Sequence, residues 1–311
     1  MLIIFESILP IFLLVIFGAL LKRARFIDQN FWPGLEQFGF YIVFPLYLFL
    51  AIAKADMSGI AAGTLSILYS SILAALGLLL IFARPLLAKA GIGDPQFTTV
   101  FQTATRWNGF VALAISERLY GHTGIALIAL LMGIIVIPNN LANIVVLVWF
   151  GGGSRQFGFL VRKVVSNPLV VGTAAGLIVQ STGMTIYGPL ETAMSLIGRS
   201  ALGLGLIMVG AGLRIGDAMK PSGETLLGVF LKVIAFPLVV IAATTLAGFD
   251  TQTVQIVTLA ACVPTAMNGY LLARQLGGDA PLYSAIATLQ TAVSFFTIPA
   301  MLVLAAAVSA H

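Results

Sequence analysis

Ten stretches of this chain are apolar for about as long as a helix needs to cross a bilayer. They run over roughly 2–21, 35–53, 62–88, 97–120, 123–150, 167–184, 193–213, 224–247, 253–276 and 281–308. Each reaches or approaches the ~20 residues of a spanning helix. Only 9% of the residues are charged and 59% are hydrophobic, whereas a soluble domain carries about 25% charged residues. So little polar surface cannot cover a water-facing globule, and the chain reads as an all-α integral membrane protein. A transmembrane β-barrel does not fit, because the runs lack alternation and are too long for strands. Proline and glycine inside the runs are tolerated, since neighbouring helices re-satisfy the backbone.

Charge sets the expected orientation. The first run has no basic region ahead of it and is followed by Lys22, Arg23 and Arg25. It therefore reads as a first span with its N-terminus outside, and not as a cleavable signal. The loops after spans one, three, five, seven and nine carry eleven basic residues, whereas the alternate loops carry only Lys54 and Arg118. By the positive-inside rule both termini are extracytoplasmic. The net charge of +5 reflects this topology, and no soluble basic face points to nucleic acid. Cys262 is the single cysteine, so no intramolecular disulfide forms and the residue reads as a small core hydrophobe.

The chain also repeats itself. "LPIFLLVIFGALL" (9–21) is similar to "NPLVVGTAAGLIV" (167–179), with Pro10 and Gly18 matching Pro168 and Gly176 at an offset of 158. Asn108-Gly109-Phe110 matches Asn268-Gly269-Tyr270 at an offset of 160, and Ile137-Pro138 matches Ile298-Pro299 at 161. Three ordered similarities at nearly one offset divide the chain into five-span halves, 1–150 and 167–308, joined by a short linker at 151–166. An odd number of spans per half inverts the second half in the membrane, a pattern typical of secondary transporters.

The matched Asn-Gly pairs predict broken helices in spans four and nine. Glycine is a poor helix former and asparagine favours caps, while Pro264 removes a backbone donor shortly before Asn268. Thr105, Asn108, Gly109, Pro264, Asn268 and Gly269 mark the breaks. Each asparagine is expected to cap the half-helix after it. Two half-helix N-termini, each worth about half a positive charge, then converge where spans four and nine cross, which suits an anion.

Arg106 adds a full charge whose planar fork can grip a carboxylate at two points. It either contacts substrate directly or pairs with backbone carbonyls or an acid such as Glu6. Trp107 stacks on a ring, lines the path or faces lipid. Asn139 and Asn143 share one face of span five, with Asn140 beside them, and either line the same cavity or bridge helices. Gln290 and Thr291 on span ten are similar candidates. Lys232 and the other charges, near span ends, read as structural. Walker, HExxH, paired-cysteine and Rossmann signatures are missing, so neither ATP-driven transport on this chain nor soluble-enzyme chemistry is expected, and no cofactor or metal is called for.

The sequence resembles the auxin efflux carrier family, the PIN-like transporters and their bacterial relatives, over essentially its whole length. The resemblance rests on "RWNGFVALAISERLYG" (106–121) with "IVIPNN" (135–140), and on "ACVPTAMNGYLLARQLGGD" (261–279) with "TAVSFFTIPAMLVL" (291–304). It implies a ten-helix inverted repeat like that of bile-acid symporters. Spans one, two, six and seven would form a dimerising scaffold, and spans three to five and eight to ten a mobile transport domain that works as an elevator. It implies organic-anion substrates, either auxin-like acids or malonate-like dicarboxylates, with proton or sodium coupling open, in a bacterial inner membrane. Two departures favour a more acidic ligand than auxin: the long hydrophilic loop is missing, and Arg106 stands at the first break, with no proline between Pro95 and Pro138. A membrane sensor on a transporter fold is the alternative class.

The charge asymmetry makes the orientation testable. A reporter fused after His311 should be active only outside the cytoplasm, and a signal restricted to the cytoplasm would sink the ten-span reading.

Overall fold

The structure, a computed structural model, describes residues 2–24, 27–54, 62–151 and 168–310. Most of the expected linker, with Arg155, Arg162 and Lys163, lies outside these residues, as do Arg25 and His311. Among the described residues all regular structure is helical. Helix α1 is Leu2–Ala24. The second span comprises α2 (Phe31–Phe38), a π-helical turn (Gly39–Val43) and α3 (Phe44–Ala53). Then come α4 (Ala62–Lys89), α5 (Asp94–Thr105) and α6 (Gly109–Phe150). The second half holds α7 (Pro168–Thr182), α8 (Gly188–Gly198), α9 (Ser200–Gly212) and the single turn α10 (Ile215–Ala218). It continues with α11 (Gly223–Phe230), a second π-helical turn (Leu231–Ala235) and α12 (Phe236–Leu246). The chain closes with α13 (Thr251–Cys262), α14 (Gly269–Leu276) and α15 (Ala280–Ser309).

Among the described residues seven helical stretches are long and apolar enough to cross a membrane, against ten runs read from the sequence. The difference has local causes. The described part of α7 has 15 residues, fewer than a full crossing needs. Residues 251–276 are interrupted between Cys262 and Gly269. Asp94–Phe150 registers as one stretch, although α6 alone, with 42 residues, is about 63 Å long at 1.5 Å per residue. Gly121 bends it with φ 58° and ψ −140°, a conformation that glycine adopts without a Cβ penalty. That bend falls where the sequence placed the boundary between spans four and five.

Both π-helical turns precede a Phe-Pro pair, Phe44-Pro45 and Phe236-Pro237. Proline has no N–H to give to the preceding turn. The ladder slips by one residue there, with the Phe44 N–H bonding Gly39 O and the Phe236 N–H bonding Leu231 O. Asp250 starts α13 as a true N-cap, accepting from Thr253 N at 3.0 Å. Burial raises its carboxyl, but the hydrogen bonds from Thr253 and the local amides outweigh that and hold it below the usual aspartate range.

Two helix pairs make the closest approaches. Helix α1 packs on α9, and α3 packs on α7. At both seams glycine meets bare backbone. A Cβ on Gly210 would lie 1.8 Å from Val15 O, one on Gly18 2.1 Å from Ile207 O, and one on Gly172 2.5 Å from Pro45 O. A second group packs α5, α11, α13 and α15 together, with α6 and α12 beside them. Large apolar side chains such as Leu13, Phe17, Leu79, Phe82 and Leu86 stay exposed on the outer faces, as lipid contact requires.

Several helix ends are tied to one another. Lys54 pairs with Glu191, and Thr251 Oγ1 donates to Ser309 O at 3.0 Å. Asp279 N donates to Thr99 Oγ1 at 3.0 Å and Ser284 donates to the Asp217 carboxylate. Gly151 and Gly277 come so close that a Cβ on Gly277 would meet Gly151 O at 1.9 Å. Arg84 bonds Asp94 through Nε at 2.9 Å.

The glycine seam gives a stability test. Gly210→Val should destabilise the protein by about 1–3 kcal/mol through overpacking. Gly203→Ala on the same helix, with nothing within 4 Å of its added Cβ, should leave the melting temperature in detergent unchanged.

Candidate functional site

The first break begins where α5 ends at Thr105. Arg106 then turns extended, at φ −76° and ψ 157°, and the chain re-enters helix at Gly109. Asn108 is a full N-cap: its Oδ1 accepts from Phe110 N at 3.2 Å and Val111 N at 3.3 Å. The second break begins at Val263, extended at φ −61° and ψ 148°, and ends at Gly269. The two breaks touch directly, as Asn108 N–H donates to Pro264 O at 2.7 Å. Thus the sequence-predicted Thr105, Asn108, Gly109, Pro264, Asn268 and Gly269 all lie at the two interruptions.

Asn268 departs from expectation. Its backbone is already helical, at φ −62° and ψ −20°, and its side chain makes no cap bond. Gly269 N and Tyr270 N instead bond back to Ala266 O and Met267 O. The amide oxygen that would cap α14 accepts from Arg106 Nη2 at 3.0 Å. A charged donor makes a stronger hydrogen bond than a backbone amide, and the local turn removes the need for a cap.

Arg106 is 7% exposed. Its partner is this asparagine, not Glu6 and not a backbone carbonyl. Tyr283 lies beside the guanidinium, its hydroxyl donating to Ala266 O at 2.6 Å and sharing a hydrogen bond with Thr265 Oγ1 at 3.0 Å. Arg106 Nη1 is buried without a hydrogen-bond partner among the described residues. So are both side-chain polar atoms of Gln102, one turn earlier on α5. Sequence reading missed Gln102. The available signal was an amide inside an apolar run, four residues before Arg106. Unmet buried polar groups cost about 1–3 kcal/mol each, so a structure that keeps several in one place has a polar use for them.

The remaining candidates hold the breaks in shape. Helix α5 ends with carbonyls that no helical N–H can reach. Asn139 Nδ2 donates to Thr105 O at 2.9 Å, and Gln290 Nε2 donates to Thr103 O at 3.1 Å. Gln290 also donates to Gly228 O at 2.9 Å and accepts from Thr265 N at 2.8 Å. One amide therefore joins α15, α5, α11 and the second break. Asn143 Nδ2 donates to Thr105 Oγ1 at 3.1 Å and Asn139 Oδ1 at 2.9 Å, so these asparagines bridge from α6 to the end of α5. Trp107 is buried in the main core, which removes the lipid-facing reading. Thr291 bonds Ala287 O of its own helix at 2.8 Å.

A cleft of about 370 Å³ opens between α1, α9 and the first part of α6, lined among others by Ser7, Ala114, Glu117 and Arg118. Ala114 is five residues along α6 from Gly109, about 7.5 Å by helix rise. The cleft thus approaches the break from the seam between the two helix groups. Among the described residues no cluster of metal-ligating side chains occurs.

Interrupted helices meet at a buried arginine inside an apolar all-helical shell. The family described as "Membrane transport protein" matches residues 155–302. A protein of Rhizobium meliloti (strain 1021) named "Putative malonate transporter" is 25% identical over 319 residues, covering 96% of this chain and 94% of that one. Both matches carry the names of membrane transport proteins, in line with the resemblance carried by the quoted motifs.

The cap asymmetry is testable. Asn108→Ala should cost about 1 kcal/mol in thermal unfolding and Asn108→Ser should keep most of it, the ranking of N-cap residues. Asn268→Ser should not rescue Asn268→Ala in the same way, because no cap is lost there.

Proposed function

We propose that this protein is a secondary transporter or facilitated carrier for organic carboxylate anions, which bind where the two breaks meet. The observation that carries the reading is Arg106. It is a buried guanidinium held by a neutral asparagine from the other break, with Nη1 unpartnered and no carboxylate bonded to it among the described residues. A lone cation inside a membrane is costly and marks a function. An anion of two or more oxygens fits its fork. The N-termini of α6 and α14 start at the same place and add partial positive charge.

The finer architecture belongs to this proposal. Ten crossings arranged as two inverted five-span repeats, 1–150 and 167–308, are supported by the ties Lys54–Glu191, Thr251–Ser309 and Thr99–Asp279, each of which joins two ends that alternating crossings put on one side. Spans one, two, six and seven as scaffold agree with the glycine seams α1–α9 and α3–α7. Spans three to five and eight to ten as a moving body agree with the second packing group, and the cleft lies between the two. Rigid-body sliding of one group on the other is the elevator motion. A homodimer through the scaffold completes the arrangement in the inner membrane. The substrate contacts proposed are Arg106, Asn268 and Gln102, with Asn108 setting the helix end. Trp107, Asn139, Asn143 and Gln290 shape the site. The malonate named for the relative makes a dicarboxylate the first substrate to test.

Calorimetry on purified protein should show malonate binding that weakens by about 1–3 kcal/mol in Arg106→Lys, the worth of a charge-assisted hydrogen bond. Arg106→Ala should lose more, and lose more for dicarboxylates than for monocarboxylates. Unchanged affinity in a folded Arg106→Ala protein overturns the site.

A further inference from the structure

A second cation lies deep in the same helix group, and the site described above does not use it. Lys232 sits in the π-helical turn Leu231–Ala235 and is 0% exposed. Its Nζ makes no hydrogen bond to any described residue. The ammonium position is 5.1 Å from the centre of the Phe236 ring, and that ring meets Tyr69 edge-on at 5.7 Å. Of the titratable groups on the elements packed against the turn, Cys262 of α13 faces Lys232. Glu224 on α11 bonds Ser222 at the helix start, Asp94 on α5 bonds Arg84, and Tyr283 on α15 faces Arg106. No carboxylate among the described residues neutralises Lys232.

Its place matters as much as its burial. Cys262 is the last residue of α13 before the second break, so Lys232 lies beside a helix C-terminus, whose partial negative charge favours a cation. One turn before Lys232, Gly228 O accepts from Gln290, whose Oε1 holds Thr265 N inside the break. π-Helical turns occur often at functional positions. Unlike Arg106, a lysine can give up its proton, and a buried one changes protonation state with its surroundings. The charge count at the site asks for that. Arg106 supplies one positive charge, a dicarboxylate brings two negative ones, and low-dielectric surroundings penalise the remainder.

We propose that Lys232 is the proton-carrying site of the transport cycle. Its amine takes one proton from water when a dicarboxylate is held at the breaks, forming an ammonium, and returns that proton to water when the dicarboxylate leaves. This rests on the carboxylate reading above. It makes the translocated unit a dianion plus one proton.

The test uses proteoliposomes loaded with a pH-sensitive dye and radiolabelled malonate as probe. Wild-type protein should move about one proton more per malonate than Lys232→Met. Lys232→Arg, which cannot release its proton, should also lose that extra proton. Equal proton counts in all three proteins overturn the proposal. A second measurement needs no substrate. Lys232→Met should melt at or above the wild-type temperature in detergent, since replacing a buried amine that has no hydrogen-bond partner by an apolar chain of similar length is neutral or stabilising. A melting temperature several degrees lower shows a structural lysine and overturns the proposal. If wild-type protein moves no malonate, the carboxylate reading fails, and the melting comparison still decides Lys232.

Discussion

The structure depends on where its non-helical backbone polar groups find partners. Inside an apolar shell no water stands ready to take an N–H or C=O released by a broken helix. This chain breaks two helices in its interior and answers each loss locally. Asn108 caps one half-helix, its own N–H goes to Pro264 O, and Asn139 and Gln290 take carbonyls at the end of α5. The breaks can exist because these side chains stand around them, and the buried arginine can exist because the breaks bring Asn268 to it.

The two helix groups are held by different physics. Between α1 and α9, and between α3 and α7, glycines remove side chains and let backbones meet, which maximises dispersion contact where lipid offers no hydrophobic drive. Around the breaks the ties are directional, with amide and hydroxyl bonds linking α5, α6, α11 and α15. A seam of smooth close packing keeps two helices together, whereas a network of directional bonds keeps polar atoms aimed. The division into a packed frame and an aimed interior is therefore visible in bond chemistry as well as in neighbours.

Much of this was legible in the sequence. The apolar runs gave the helical membrane class, the Asn-Gly pairs gave both interruptions, and Gly121 fell at the expected boundary between two spans. What could not be read depended on which partner each group meets. Asn108 and Asn268 look alike in sequence, yet one caps and the other holds Arg106, because only the three-dimensional meeting of the breaks puts a guanidinium beside the second. Gln102 drew no notice for the same reason: an amide in an apolar run is ordinary if bonded, and its lack of a partner appears only in space. Lys232 looks like an end residue from its distance along the apolar run. The π-helical turn before Phe236-Pro237 and the helices packed round it bury it completely.

Gln290 carries a consequence at the level of the gene. Its side chain spends two donors and one acceptor on Thr103, Gly228 and Thr265. Single-base changes of a glutamine codon lead to Lys, Glu, Arg, Leu, Pro, His or a stop. None of these places two donors and an acceptor on a chain of that reach. The codon is thus surrounded by failures: every one-step amino-acid change leaves at least one buried backbone group stranded, and the route to any working replacement at this position runs through a damaged intermediate.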